Sequence, residues 1–167
     1  MKRILVIGSC GAGKSTFAKQ LHDRLGIELV HLDQEYWQPD WTRTDREVFR
    51  EKVRRLVKKE EWIMDGNYRN TMDIRFPAAD TIIFLDRSPL VCFYRILKRR
   101  FDNKRADLIA GCEERVTFEL MKWTLWKFRM TSRKEILQRM DEVKNEKRIV
   151  ILKSDKEIAE FIGSIHE

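Results

Sequence analysis

One stretch near the start of the chain constrains the fold more tightly than any other: Gly8-Ser9-Cys10-Gly11-Ala12-Gly13-Lys14-Ser15. Arg3-Ile4-Leu5-Val6-Ile7, just before it, is short, apolar and β-branched, which predicts a buried strand. After it, Phe17, Ala18, Leu21 and Leu25 fall on one face of a helix predicted over about 14–25, and Gly26 follows as a left-handed cap. G-x-x-x-x-G-K-S between a strand and a helix has the spacing of a loop that cradles nucleotide phosphates. Its glycines let the backbone turn where side chains would collide with a phosphate. The backbone N–H groups of Gly8, Ser9, Cys10, Gly11, Ala12, Gly13, Lys14, Ser15 and Thr16 then converge on the β-phosphate at the positive end of the helix. Lys14 reaches the β- and γ-phosphates, and the Ser15 hydroxyl is a ligand for Mg²⁺. The motif predicts a nucleoside triphosphate and leaves the phosphate acceptor open.

Beyond this loop, strands alternate with helices. Residues 27–32 read as a second strand, with Asp33 at the edge where open α/β sheets bind ligands. Asp33 can accept a proton from an attacking hydroxyl, or it can cap the next turn. Tyr36, Trp37 and Trp41 can line an acceptor pocket, although packing is the simpler role for each. Thr44 and Glu47 have capping-box spacing before a helix with Phe49, Val53 and Leu56 on its apolar side. Residues 61–64 form a third strand that runs into Asp65-Gly66-Asn67-Tyr68-Arg69. Asp65 could hold a water of a metal ion beside the loop, and Arg69 could grip an acceptor anion with both nitrogens. Residues 70–79 suit a short helix and turn. Residues 81–85 form an apolar central strand that ends at Asp86.

Ser88 and Pro89 then start a helix with Arg95 and Arg99 one turn apart. The basic run from Lys98 to Arg105 is either a solvated surface or a segment that closes over phosphates. A helix is predicted from about 112 to 130, with Trp123 and Trp126 in the core and Arg115, Arg129 and Arg133 facing the site. Ser132 and Glu135 have a second capping-box spacing, which predicts a break near Thr131 and a restart to about 145. Residues 148–152 are the fifth strand, and Ser154 caps a last helix. The whole predicts one α/β domain over 1–167, a parallel five-stranded sheet with helices on both faces.

Composition narrows the class. Apolar residues are 43% and charged residues 37% of the 167, which excludes a disordered chain. No apolar run approaches the ~20 residues of a membrane span, and no secretory leader pattern is present. Cys10, Cys92 and Cys112 are too few and too dispersed for a disulfide framework or a zinc site, so a reducing cytoplasm is expected. The net charge of +7 suits a protein that handles polyanions. That leaves a nucleotide-dependent enzyme, or a nucleic-acid-associated regulator, although no helix-turn-helix, zinc module or basic arm is visible.

The ordered motifs resemble the adenylate-kinase-like small-molecule kinases, across nearly the whole chain. The correspondence joins the loop at 8–16, an acceptor-binding insert at about 34–60, Asp65-Gly66, Asp86, Arg95 with Arg99, and a short lid at about 102–112. His31-Leu32-Asp33, Tyr36 to Trp41, Met64 to Tyr68 and Gly111 to Arg115 also resemble a bacterial group labelled "DNA topology modulation protein". The resemblance implies a P-loop NTPase sandwich with strand order 2-3-1-4-5, and ATP- and Mg²⁺-dependent phosphoryl transfer to a small molecule. It implies that Lys14 steadies the transferring group while Ser15 and Asp65 serve the metal. Arg95 and Arg99 would contact the nucleotide, and Arg105 and Arg115 would close over the transition state. Lys153 and Ser154 would lie near adenine, and Arg69 near an acceptor phosphate. Tyr68 departs from the adenylate-kinase pattern, and Asp33 is typical of relatives that phosphorylate hydroxyl groups. Both departures point away from AMP as the acceptor. Oligomeric state stays open.

Overall fold

In the computed structural model, the described residues are 1–102 and 117–165. Five parallel strands form the sheet: β1 (Arg3–Gly8), β2 (Leu29–His31), β5 (Trp62–Asp65), β6 (Thr81–Leu85) and β7 (Arg148–Leu152). Their order is β2-β5-β1-β6-β7. Among the described residues, two further strands, β3 (Trp37–Gln38) and β4 (Thr42–Arg43), pair with each other as an antiparallel ribbon. The five sheet strands, counted along the chain, therefore run 2-3-1-4-5, the expected order.

Period-2 alternation divides the strand residues between two cores. Leu5, Ile7, Met64, Ile82 and Phe84 face one side. There they meet α3 (Arg46–Leu56), α4 (Met72–Ala78) and α7 (Arg133–Val143) through Phe49, Val53, Met72, Phe76 and Ile136. Ile4, Val6, Ile63, Ile83 and Leu85 face the other side. They meet α1 (Lys14–Leu25), α5 (Pro89–Asp102) and α8 (Asp155–Ser164) through Phe17, Leu21, Cys92 and Ile162. Burial raises the Cys92 thiol to about 11, so this packed cysteine stays protonated at neutral pH.

Four expectations are corrected. The second strand is shorter, because its one partner β5 ends where His31 pairs with Asp65; α2 (Leu32–Tyr36) begins at once. The N-cap of α3 is Asp45, whose carboxylate accepts the N–H groups of Glu47 and Val48. Thr44 is instead folded back on α2, donating its N–H to the Tyr36 carbonyl. No break occurs near Thr131. The short helix α6 (Phe118–Lys122) passes through a π-helical stretch, Trp123–Ser132, straight into α7. Ser132 is helical and caps nothing, and the Arg133 N–H reaches back to the Phe128 carbonyl. In this wider winding Thr124, Phe128 and Ser132 share the buried face. Trp123 packs on Phe128 at 5.1 Å, whereas Trp126 is turned out and 72% exposed.

Candidate active site

The C-terminal edge of the sheet opens into a cleft of about 610 Å³. Gly8 and residues 10–16 form one wall, Asp33 and residues 65–68 the opposite wall, and Arg95 and Asp155 the far end. Packing sets the loop's shape. Gly13 sits at φ 94° as the N-cap of α1. Gly11 sits at φ 75°, and a Cβ there would come within 2.3 Å of the Cys92 carbonyl oxygen. Lys14 Nζ donates to the Ser9 carbonyl at 3.1 Å, which holds the ammonium over the loop. Arg95 donates from Nη1 to the Ala12 carbonyl (3.3 Å) and from Nη2 to Asp155 (2.7 Å). The hydrogen bonds from Arg95 lead in holding the Asp155 carboxyl below its usual range.

The facing wall is built by a buried cation. Arg75, wholly enclosed, donates Nε to Thr71 Oγ1 (3.0 Å), Nη1 to the Gly66 carbonyl (2.9 Å) and Nη2 to the Tyr68 carbonyl (2.7 Å). Burial lowers its pKa to about 10, so it remains charged at neutral pH. This clamp folds residues 66–71 so that the Tyr68 hydroxyl donates to Asp33 Oδ1 at 2.6 Å. Burial, and then the Asp33 charge, push the phenol pKa of Tyr68 well up, so it stays a donor. Asp65 accepts from His31 Nδ1 through Oδ2 at 3.1 Å, and its buried Oδ1 has no hydrogen-bond partner among the described residues.

That orphaned oxygen fits a hydrated divalent cation. Among the described residues, no group of three or more His, Cys, Asp and Glu side chains could hold a metal ion. A magnesium ion here would take Ser15 and the Asp65 side, with substrate phosphates and water completing its shell. Both Asn67 side-chain polar atoms are also buried without partners on this wall.

Most predicted residues gather here: the loop glycines, Cys10, Ala12, Lys14, Ser15, Thr16, Asp33, Asp65 and Arg95. Others do not. Ser9 lines a second cavity, together with Arg129 and Arg133, expected to face the site, and Lys153, expected near adenine; none of the three lines the cleft. Ser154 is spent as the cap of α8, accepting the Glu157 N–H, and its neighbour Asp155 lines the cleft. Tyr36 packs on Phe49 and Tyr68, and Trp37 packs on Trp41, so neither lines the cleft. Arg69 pairs with Glu135, away from the cleft. The Arg99 side chain, Arg105, Arg115 and most of the expected lid fall outside the described residues. His31, Asn67 and Arg75 were missed by the sequence reading. A histidine ending the strand beside Asp65 is a usable signal once the strand order is known. Arg75 gives none, since a charge on a short helix reads as surface.

This is the α/β fold of P-loop kinases, with its phosphate loop and carboxylates in one cleft. The chain resembles shikimate kinase from Bacteroides thetaiotaomicron, with a TM-score of 0.55 and 17% identity over 97% of this chain and 94% of that one. It resembles a gluconokinase from Sinorhizobium meliloti 1021 equally, over 97% of this chain and 87% of the other. In sequence it is 27% identical over 127 residues to a Methanocaldococcus jannaschii protein provisionally named adenylate kinase, covering 66% of this chain and 69% of that protein. No protein-family profile matches the chain.

Proposed function

We propose that the chain is an ATP-dependent, Mg²⁺-requiring kinase of a small-molecule hydroxyl acceptor, acting in the cytoplasm. One observation carries this reading: a single cleft brings the phosphate loop face to face with Asp33 and with the orphaned oxygen of Asp65. The fold shared with a shikimate kinase and a gluconokinase, and the adenylate-kinase name of the sequence relative, support phosphoryl transfer in general. No residue of the insert expected at 34–60 lines the cleft, so in this reading the insert supports Asp33 and Tyr68 from behind through Tyr36, and the lid is the stretch expected at 102–112.

Lys14 and the loop N–H groups hold the β- and γ-phosphates in line with the acceptor. Asp33, fixed by Tyr68, orients the acceptor hydroxyl and takes its proton as the new P–O bond forms and the bond to the ADP oxygen breaks. A bound magnesium ion would neutralise charge building on the phosphoryl oxygens. Arg99 and Arg115 carry the transition-state charge that an arginine contributes in such enzymes, about 10³–10⁵ in rate. Arg105 belongs to the acceptor side.

The test is ADP release by the wild-type chain and Lys14→Ala, against nucleoside monophosphates, nucleosides and small hydroxy metabolites, with supercoiled DNA in a parallel set. Acceptor-stimulated turnover that disappears in Lys14→Ala is the expected result. A rate raised by DNA and by no small acceptor would overturn the kinase reading. It would favour an ATP-binding regulator of DNA topology.

A further inference from the structure

Behind the phosphate loop lies a second cavity of about 270 Å³, on the face covered by the π-helical stretch. Ser9, the ends of β6 and β7, and residues of the stretch from Thr124 to Arg133 line it, and it opens to solvent. Among the described residues, several of its lining side chains have donors without partners. Arg87 is 4% exposed at its side chain; Nη2 pairs with Asp155 at 2.9 Å, while Nε and Nη1 are buried without partners. Thr124 Oγ1 and Ser9 Oγ are buried and unpartnered as well. An unsatisfied buried polar group costs about 1–3 kcal/mol, so several in one cavity call for a common acceptor.

Charge says what kind. Arg87, Arg129, Arg133 and Lys153 line the cavity against one lining carboxylate, Asp86. Arg133 already holds that carboxylate with two bonds of 2.8 Å. The cavity thus offers guanidinium and hydroxyl donors with a surplus of positive charge, the complement of a tetrahedral oxyanion. Its volume lies just below the range of about 300–1,000 Å³ usual for drug-sized ligands, so the occupant is small.

We propose that this cavity is a second anion site, distinct from the nucleotide cleft, that takes inorganic phosphate or the phosphoryl group of a small phosphorylated molecule. Arg87 and the Ser9 and Thr124 hydroxyls form its floor, and Arg129 and Lys153 its entrance.

The test is calorimetric titration of the full chain with inorganic phosphate, and separately with glycerol 3-phosphate. The cleft is first saturated with a non-hydrolysable ATP analogue. One phosphate equivalent should still bind. Arg129→Glu should weaken it tenfold or more and Thr124→Val several-fold, with nucleotide affinity changed less than threefold in either variant. These variants alter an exposed charge and an isosteric hydroxyl, so the result does not depend on whether Arg87→Met folds. Tighter binding of glycerol 3-phosphate than of phosphate identifies a phosphorylated small molecule as the ligand; the reverse identifies free phosphate. No binding to the nucleotide-saturated chain would show that water alone fills the cavity and would overturn the proposal. Binding that is lost in Lys14→Ala but untouched by Thr124→Val would place the anion in the cleft and overturn it equally.

Discussion

Arg75 and His31 do their work through other groups. Arg75 is a cation enclosed in the protein that makes its hydrogen bonds to two carbonyls and a hydroxyl, with no carboxylate among them. Replacing it with Met leaves the Gly66 and Tyr68 carbonyls without that donor. Arg75→Met should cost about 2–3 kcal/mol in urea denaturation, at the upper end of ordinary substitutions. Arg75→Lys should recover little of it, because one ammonium nitrogen cannot replace the three guanidinium nitrogens that each reach a separate acceptor. His31 positions Asp65 through the bond to Oδ2. If Asp65 serves the metal, His31→Ala should raise the Mg²⁺ concentration needed for half-maximal turnover about 10–100-fold. The rate at saturating Mg²⁺ should change far less; an equal fall in both would assign His31 to the chemistry itself. The role of Arg75 was not legible in the sequence, and that of His31 only through the strand order. Each depends on which backbone segments become neighbours, whereas Lys14 and Ser15 are placed by local spacing alone.

The strand starts are tied together by one carboxylate. Asp80 Oδ2 accepts the N–H groups of Lys2 and Arg3, and Oδ1 accepts the Thr81 hydroxyl. Burial works to raise the Asp80 pKa, but these hydrogen bonds outweigh it and the net shift is downward. A carboxyl lowered on folding stabilises the protein above its unfolded pKa of about 3.9, and that contribution fades as pH falls through the folded value. The urea midpoint of Asp80→Asn should therefore lie below wild type at pH 7, with the gap closing below about pH 4. A gap independent of pH would mean that the charge is irrelevant. The elements themselves were largely legible: strong apolar runs and helical stripes placed the central strands and α1, α3, α5 and α8. The two capping-box readings failed for different reasons. Asp45, one residue on, takes the cap of α3 while Thr44 is drawn onto α2. Ser132 lies inside a continuous helix, where the S-x-x-E spacing is equally at home, and its Glu135 is taken by Arg69 and Arg139.

At the scale of the molecule, the parallel sheet collects ligand-binding residues from distant parts of the sequence along one edge. The alternation of strands and helices announced that architecture; the order of the strands came from resemblance, because periodicity says nothing about neighbours. Binding should be visible in global stability. An ATP analogue at one hundred times its Kd should add about 2.7 kcal/mol, a rise in Tm of roughly 5–10 °C for a domain of this size. Lys14→Ala should lose most of that rise at the same concentration. The contact of Gly11 with the Cys92 carbonyl bears on how that energy is divided. With Gly11 wedged against α5 and Ala12 held by Arg95, the cradle has its shape before any nucleotide arrives. Little conformational entropy remains to be surrendered when the phosphates dock, so the loop is preorganised. The ordering cost of the complex shifts to whatever closes over the phosphates afterwards, and with it the control of how long the nucleotide stays.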